Sequence, residues 1–89
     1  MDRDWYFYIV RCSDDSLYSG ISNDLSKRIE KHNKGKGAKY TFVRRPVSLV
    51  YSEKHKGVSS ARRREGQVKK WRKEKKELLV KGFPRLRSG

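Results

Sequence analysis

The stretch from Trp5 to Ile21, WYFYIVRCSDDSLYSGI, decides the fold. Trp5 to Arg11 is a run of aromatic and β-branched residues too short for an ordinary helix, so it predicts a central strand covered on both faces. Ser13, Asp14, Asp15 and Ser16 form a turn, and Leu17 to Ile21 resumes strand-like residues. The two segments read as an antiparallel hairpin, with Gly20 at a bend or close approach.

Beyond the hairpin the period changes. Ser22, Asn23 or Asp24 can cap a helix, Leu25 and Ile29 give it a narrow apolar stripe, and Gly35 ends it. Gly35 to Lys39 reads as a flexible basic loop, and Val47 to Ser52 as a third strand after Arg44, Arg45 and Pro46. Ser59 or Ser60 can cap a second helix running to about Trp71. A third helical segment, Lys73 to Val80, is ended by Gly82, Phe83 and Pro84. The order is β-β-α-β-α-α, which predicts an α+β architecture: a small three-stranded, antiparallel-type sheet flanked by helices. Residues 1–82 are expected to form one domain and 83–89 a short basic tail, because 89 residues support one core.

The formal net charge of +14 is hard to reconcile with a compact state unless a polyanion neutralises it. Nucleic acid is the first candidate partner. No stretch approaches the roughly 20 apolar residues of a spanning helix, and the N-terminus lacks a basic-then-apolar signal pattern, so a cytoplasmic protein is expected. Cys12 is the single cysteine. It has no disulfide partner, and its distance in sequence from His32 and His55 argues against a zinc motif.

Four groups stand out on the predicted elements. Arg28 and His32, four apart, border the Leu25/Ile29 stripe. Arg28 is either an arginine whose stem covers apolar surface or a guanidinium aimed at phosphate. Glu65 falls on the helical face of Ala61 and Val68 just after Arg62, Arg63 and Arg64, where it either forms a salt bridge to a neighbouring arginine or holds a hard divalent cation. Tyr8 and Tyr18 are either strand aromatics or phenols active in proton transfer. Lys36, Lys39, Arg44 and Arg45, interleaved with Tyr40 and Phe42, suit phosphate contacts with base or sugar packing.

In order, YFYIV, LYSGI, DLSKRIEKHN, GKGAKYT, RRPVSLVY and ARRRE resemble the GIY-YIG nuclease family, and its small stand-alone bacterial members most closely. The first signature triplet falls on Tyr6, Phe7 and Tyr8 and the second on Tyr18, Ser19 and Gly20, so both tyrosines are kept while the first glycine and both isoleucines are replaced. The family's helix arginine and later glutamate fall on Arg28 and Glu65. His32 and Asn33 match a His-Asn pair of the close relatives. The resemblance implies a metal-dependent DNA endonuclease in which Glu65 holds Mg²⁺ or Mn²⁺, Tyr8 deprotonates the attacking water, Tyr18 positions water or phosphate, and Arg28 clamps the scissile phosphate. His32 either orients the nucleophile or packs beside the helix stripe. Repair or processing of branched or damaged DNA would suit such an enzyme, with RNA an open substrate. The alternatives are a non-catalytic nucleic-acid-binding module and a nuclease that needs a protein partner for targeting.

Overall fold

A computed structural model describes residues 4–82. Strand β1 (Trp5–Arg11) lies at the centre of an antiparallel sheet, between β2 (Leu17–Ser22) and β3 (Ser48–His55), in the order β2-β1-β3. Helix α1 (Leu25–Asn33) and a single turn, α2 (Lys39–Phe42), intervene between β2 and β3. Helices α3 (Val58–Lys69) and α4 (Lys73–Lys81) follow. The expected α+β class and element order are therefore observed, with α2 as an added turn. The tail at 83–89, and the Phe83-Pro84 stop expected for the last helix, lie outside the described residues.

The pleat of β1 builds two cores from one strand, because successive side chains point to opposite faces. Phe7 and Ile9, both fully buried, pack on one face with Val68 and Val80 of α3 and α4. Tyr8 and Val10 pack on the other face with Cys12 and Val47, beneath Leu25 and Ile29 of α1. This is why WYFYIVR is nearly continuous in apolar character: both of its faces are covered.

Local chemistry fixes the helix ends. Of the three candidate caps, Asp24 is the residue used, its carboxylate accepting from the backbone N–H of Lys27 at 3.1 Å. At the other end, Gly35 takes a φ of +82°, which a residue with a Cβ adopts reluctantly. The Lys36 N–H then reaches the Lys31 carbonyl and the Gly35 N–H the His32 carbonyl, a Schellman closure.

Three expectations are corrected. Lys39 belongs to the turn α2 instead of a loop, because the Thr41 hydroxyl bonds both backbone polar groups of Ala38 and winds the chain. Strand β3 runs to His55, not Ser52: Glu53 and His55 face inward but satisfy each other, while Lys54 faces out to Asp4. The apolar pattern ends early there, and the ladder does not. Finally, Gly57 caps α3 in extended geometry and Ser59 and Ser60 lie within the helix, which ends at Lys69. Ser60 is drawn to His55 Nδ1, at 2.6 Å, instead of to a backbone N–H.

Candidate active site

Tyr8 is only 2% exposed, on the face of β1 covered by α1. It lies opposite Gly20 in the hairpin register, and a Cβ at Gly20 would stand 2.5 Å from the Tyr8 hydroxyl oxygen and 2.7 Å from Cζ. The expected close approach at Gly20 is thus a phenol lying against the backbone of β2. The Tyr8 hydroxyl meets His32 Nε2 at 2.9 Å. His32 itself is 1% exposed, pulled into the core from the last turn of α1. Its Nδ1 lies 2.8 Å from the Thr41 hydroxyl, and Gly37 packs so closely on the ring that any Cβ there would overlap it.

The aromatic groups continue outward as a file. Tyr18 meets the His32 ring edge-on at 5.5 Å between centroids, and Tyr40 stacks on Tyr18 at 5.7 Å. Arg44 covers Tyr40 at 3.9 Å. Tyr8 and Tyr18, ten residues apart, are brought together by the hairpin, while Tyr40 joins them only because α2 folds back over the end of α1.

The electrostatics converge on Tyr8. Burial pushes its phenol far above the ordinary value of 10.0; the Arg28 charge pulls against this, and Tyr18 and Glu65 add to the rise. Half-buried Arg28 and Glu65 therefore both lie within electrostatic reach of the Tyr8 oxygen, from α1 and α3 respectively. Burial, and then the Arg28 charge, hold His32 below its ordinary 6.5, so the imidazole is neutral at physiological pH.

Glu65 sits between the fully buried Ala61 and Val68 on α3, with its side chain 22% exposed. Its ion-pair partner is Lys69 at 3.7 Å, not one of the preceding arginines, so the contact is long and weak. Arg64 turns instead to Glu53, at 3.0 Å. Among the described residues no three His, Cys, Asp or Glu side chains cluster as a metal cage. The donor set fits a hard cation held by a single carboxylate with water and phosphate filling the other positions, as Mg²⁺ accepts, and does not fit a cage-bound zinc.

The basic groups expected to meet nucleic acid separate into two kinds. Lys36 and Lys39 are exposed and line an open groove with Gly35, Gly37, Ala38, Phe42 and Val43. Arg44 is partly committed, bonded to Asp14 at 3.1 Å and to the Tyr40 carbonyl at 2.9 Å; Arg45 donates to the Phe42 carbonyl at 2.7 Å and covers the Phe42 ring. A second groove, along the outer face of α1, is lined by Lys27, Glu30, Lys31, Lys34 and Lys36, so the basic track extends further than the sequence indicated. Thr41 and Gly37 were not legible as site residues either. Their signal was a polar residue between two aromatics and a second glycine two residues after the helix-ending one, neither of which names a partner.

The site is a buried phenol-imidazole pair within electrostatic reach of a guanidinium and a carboxylate and bordered by lysines, and the fold that holds it is of the nuclease type. The GIY-YIG catalytic domain matches residues 4–77, and the chain belongs to the GIY-YIG family. A UPF0213 protein of Staphylococcus aureus strain Mu50 is 53% identical over 76 residues, covering 85% of this chain and 93% of the relative. The solution structure of the UPF0213 protein BH0048 of Bacillus halodurans is similar at 44% identity and a TM-score of 0.57, covering 88% of this chain and 83% of the other. That of EF2693 from E. faecalis is similar at 38% identity and a TM-score of 0.61, covering 91% and 88%.

Proposed function

We propose that this chain is a divalent-metal-dependent endonuclease that hydrolyses DNA phosphodiester bonds. The observation that carries the reading is the buried Tyr8 hydroxyl, bonded to His32 at 2.9 Å and lying within electrostatic reach of both Arg28 and Glu65. Tyr8 removes the proton from the attacking water, and Tyr18 orients that water or the phosphate by hydrogen bonding. Arg28 binds the scissile phosphate through its planar fork of donors, for which lysine is a poor substitute. Glu65 would hold Mg²⁺ or Mn²⁺, and the chemistry such an ion would supply there is stabilisation of the negative charge that develops on the phosphate as its ester bond breaks. Lys36, Lys39, Arg44 and Arg45, with Tyr40, hold the flanking backbone. No helix among the described residues is long and apolar enough to cross a membrane. The setting that suits a nuclease acting on DNA is the cytoplasm, in the repair or processing of branched or damaged DNA.

The test is cleavage of labelled single-stranded, duplex, flapped and branched DNA with Mg²⁺, Mn²⁺ or a chelator, comparing the unmodified protein with Glu65→Ala. Metal-dependent cutting should vanish in the variant while most DNA affinity persists. Equal loss of both would refute the assigned role of Glu65. Tight, salt-sensitive binding without cutting by either protein would make the chain a binding module or a partner-dependent nuclease.

A further inference from the structure

The nuclease reading gives Tyr8 a proton to accept, yet a phenol that already carries one can take another only by passing its own on. The acceptor in contact is His32 Nε2, and it can serve only if that nitrogen bears a lone pair. Which nitrogen carries the imidazole proton is set by the group at Nδ1, and that group is Thr41, which is fully buried. The Thr41 hydroxyl has one proton, and the Ala38 carbonyl at 3.0 Å is placed to accept it. The same oxygen faces the Ala38 N–H at 3.3 Å as an acceptor. With that proton on the Ala38 carbonyl, Thr41 meets His32 Nδ1 as an acceptor too, the arrangement that puts the ring hydrogen on Nδ1. Gly37, packed on that edge of the ring, leaves no room for a side chain between them.

We infer, resting on the nuclease reading, that Thr41 is the positioning residue of this site: it holds His32 as the Nδ1–H tautomer, so that Nε2 receives the Tyr8 proton. As the water oxygen bonds to phosphorus, its proton moves to the Tyr8 oxygen and the Tyr8 proton moves to Nε2, leaving an imidazolium. The bond from phosphorus to the 3′ oxygen breaks, and that oxygen takes a proton from solvent. The turn α2 exists, on this account, to deliver one hydroxyl to the end of α1.

Nitrogen-15 NMR of the imidazoles in the full chain reads the tautomer without any cleavage. The expected result is an Nδ1–H, Nε2 lone-pair signature for His32 in the unmodified protein. Thr41→Val, close in shape but without the hydroxyl, should lose that signature and cut on the order of 10²-fold more slowly at unchanged DNA affinity, and Thr41→Ser should recover both. A proton on Nε2 in the unmodified protein would overturn the inference, whatever the variants do. So would a Thr41→Val variant that keeps the cleavage rate, or that loses it while His32 keeps its tautomer. Failure of the nuclease reading is distinct: no metal-dependent cutting by the unmodified protein, which would overturn the proton-acceptor role while the tautomer assignment stands on the spectrum.

Discussion

Gly20 and Tyr8 face each other across the hairpin, and the phenol occupies the space where any other residue would place its Cβ. Gly20→Ala should therefore displace the hydroxyl from His32 and slow cleavage on the order of 10²-fold, with the fold intact by circular dichroism. A variant cutting at the normal rate would show that the placement of the phenol is not limiting. His32 makes a second prediction at this scale. Its folded pKa lies below the ordinary 6.5 because of burial and Arg28, so as the pH falls the unfolded chain binds the proton first. Stability from this group is full above about 6.5 and is lost as the pH drops below it. In His32→Gln the melting temperature should change less between pH 7 and 5 than in the unmodified protein; parallel curves would contradict the buried neutral imidazole.

Between elements, a few polar clamps hold what the small apolar cores do not. Asn33, at the end of α1, accepts from the Val47 N–H at 2.6 Å and donates to the Val47 carbonyl at 3.0 Å, tying the helix that carries Arg28 and His32 to the chain entering β3. Asn33→Ala leaves two backbone groups of buried Val47 without this partner and should cost about 2 kcal/mol or more in urea unfolding. Glu53 joins β3 to α3 by accepting from the Tyr51 hydroxyl at 2.6 Å and Arg64 at 3.0 Å, and by meeting His55 Nε2 at 2.7 Å. Burial alone would raise its pKa, but these partners outweigh burial and hold the carboxyl low. Arg11 ties β1 to α4 through a two-pronged contact with Glu77, at 2.8 and 2.7 Å. Glu53 and His55 were read as lying beyond the strand because a pattern of apolar residues cannot register polar groups that are buried against one another.

At the scale of the whole molecule the charge dominates. With +14 on 89 residues, and lysines lining both grooves beside the α1–α2 corner, DNA binding should release counterions. If about four phosphates are neutralised, affinity should fall roughly tenfold for each doubling of salt. A fluorescence-anisotropy titration over salt measures this, and a flat response would remove phosphate recognition from the account. Glu65→Ala should leave that slope almost unchanged, since one carboxylate among so many cations contributes little to it.

The sequence by itself determined the class of fold, the hairpin, the order of the elements and the groups that stand out of pattern: Tyr8, Tyr18, Arg28, His32 and Glu65. These are local properties, carried by the alternation of a pleated strand, the 3.6-residue period of a helix and the signature spacing. Only the tertiary structure decided which partner each group has. His32 reads along the chain equally as a packing residue or a chemical one, and the fold turns its two nitrogens to Tyr8 and Thr41; the salt-bridge alternative for Glu65 names an arginine, where the fold supplies Lys69. Contacts across nine and twenty-four residues depend on how α2 returns over α1 and α1 over β1. Periodicity along a chain contains no term for that approach.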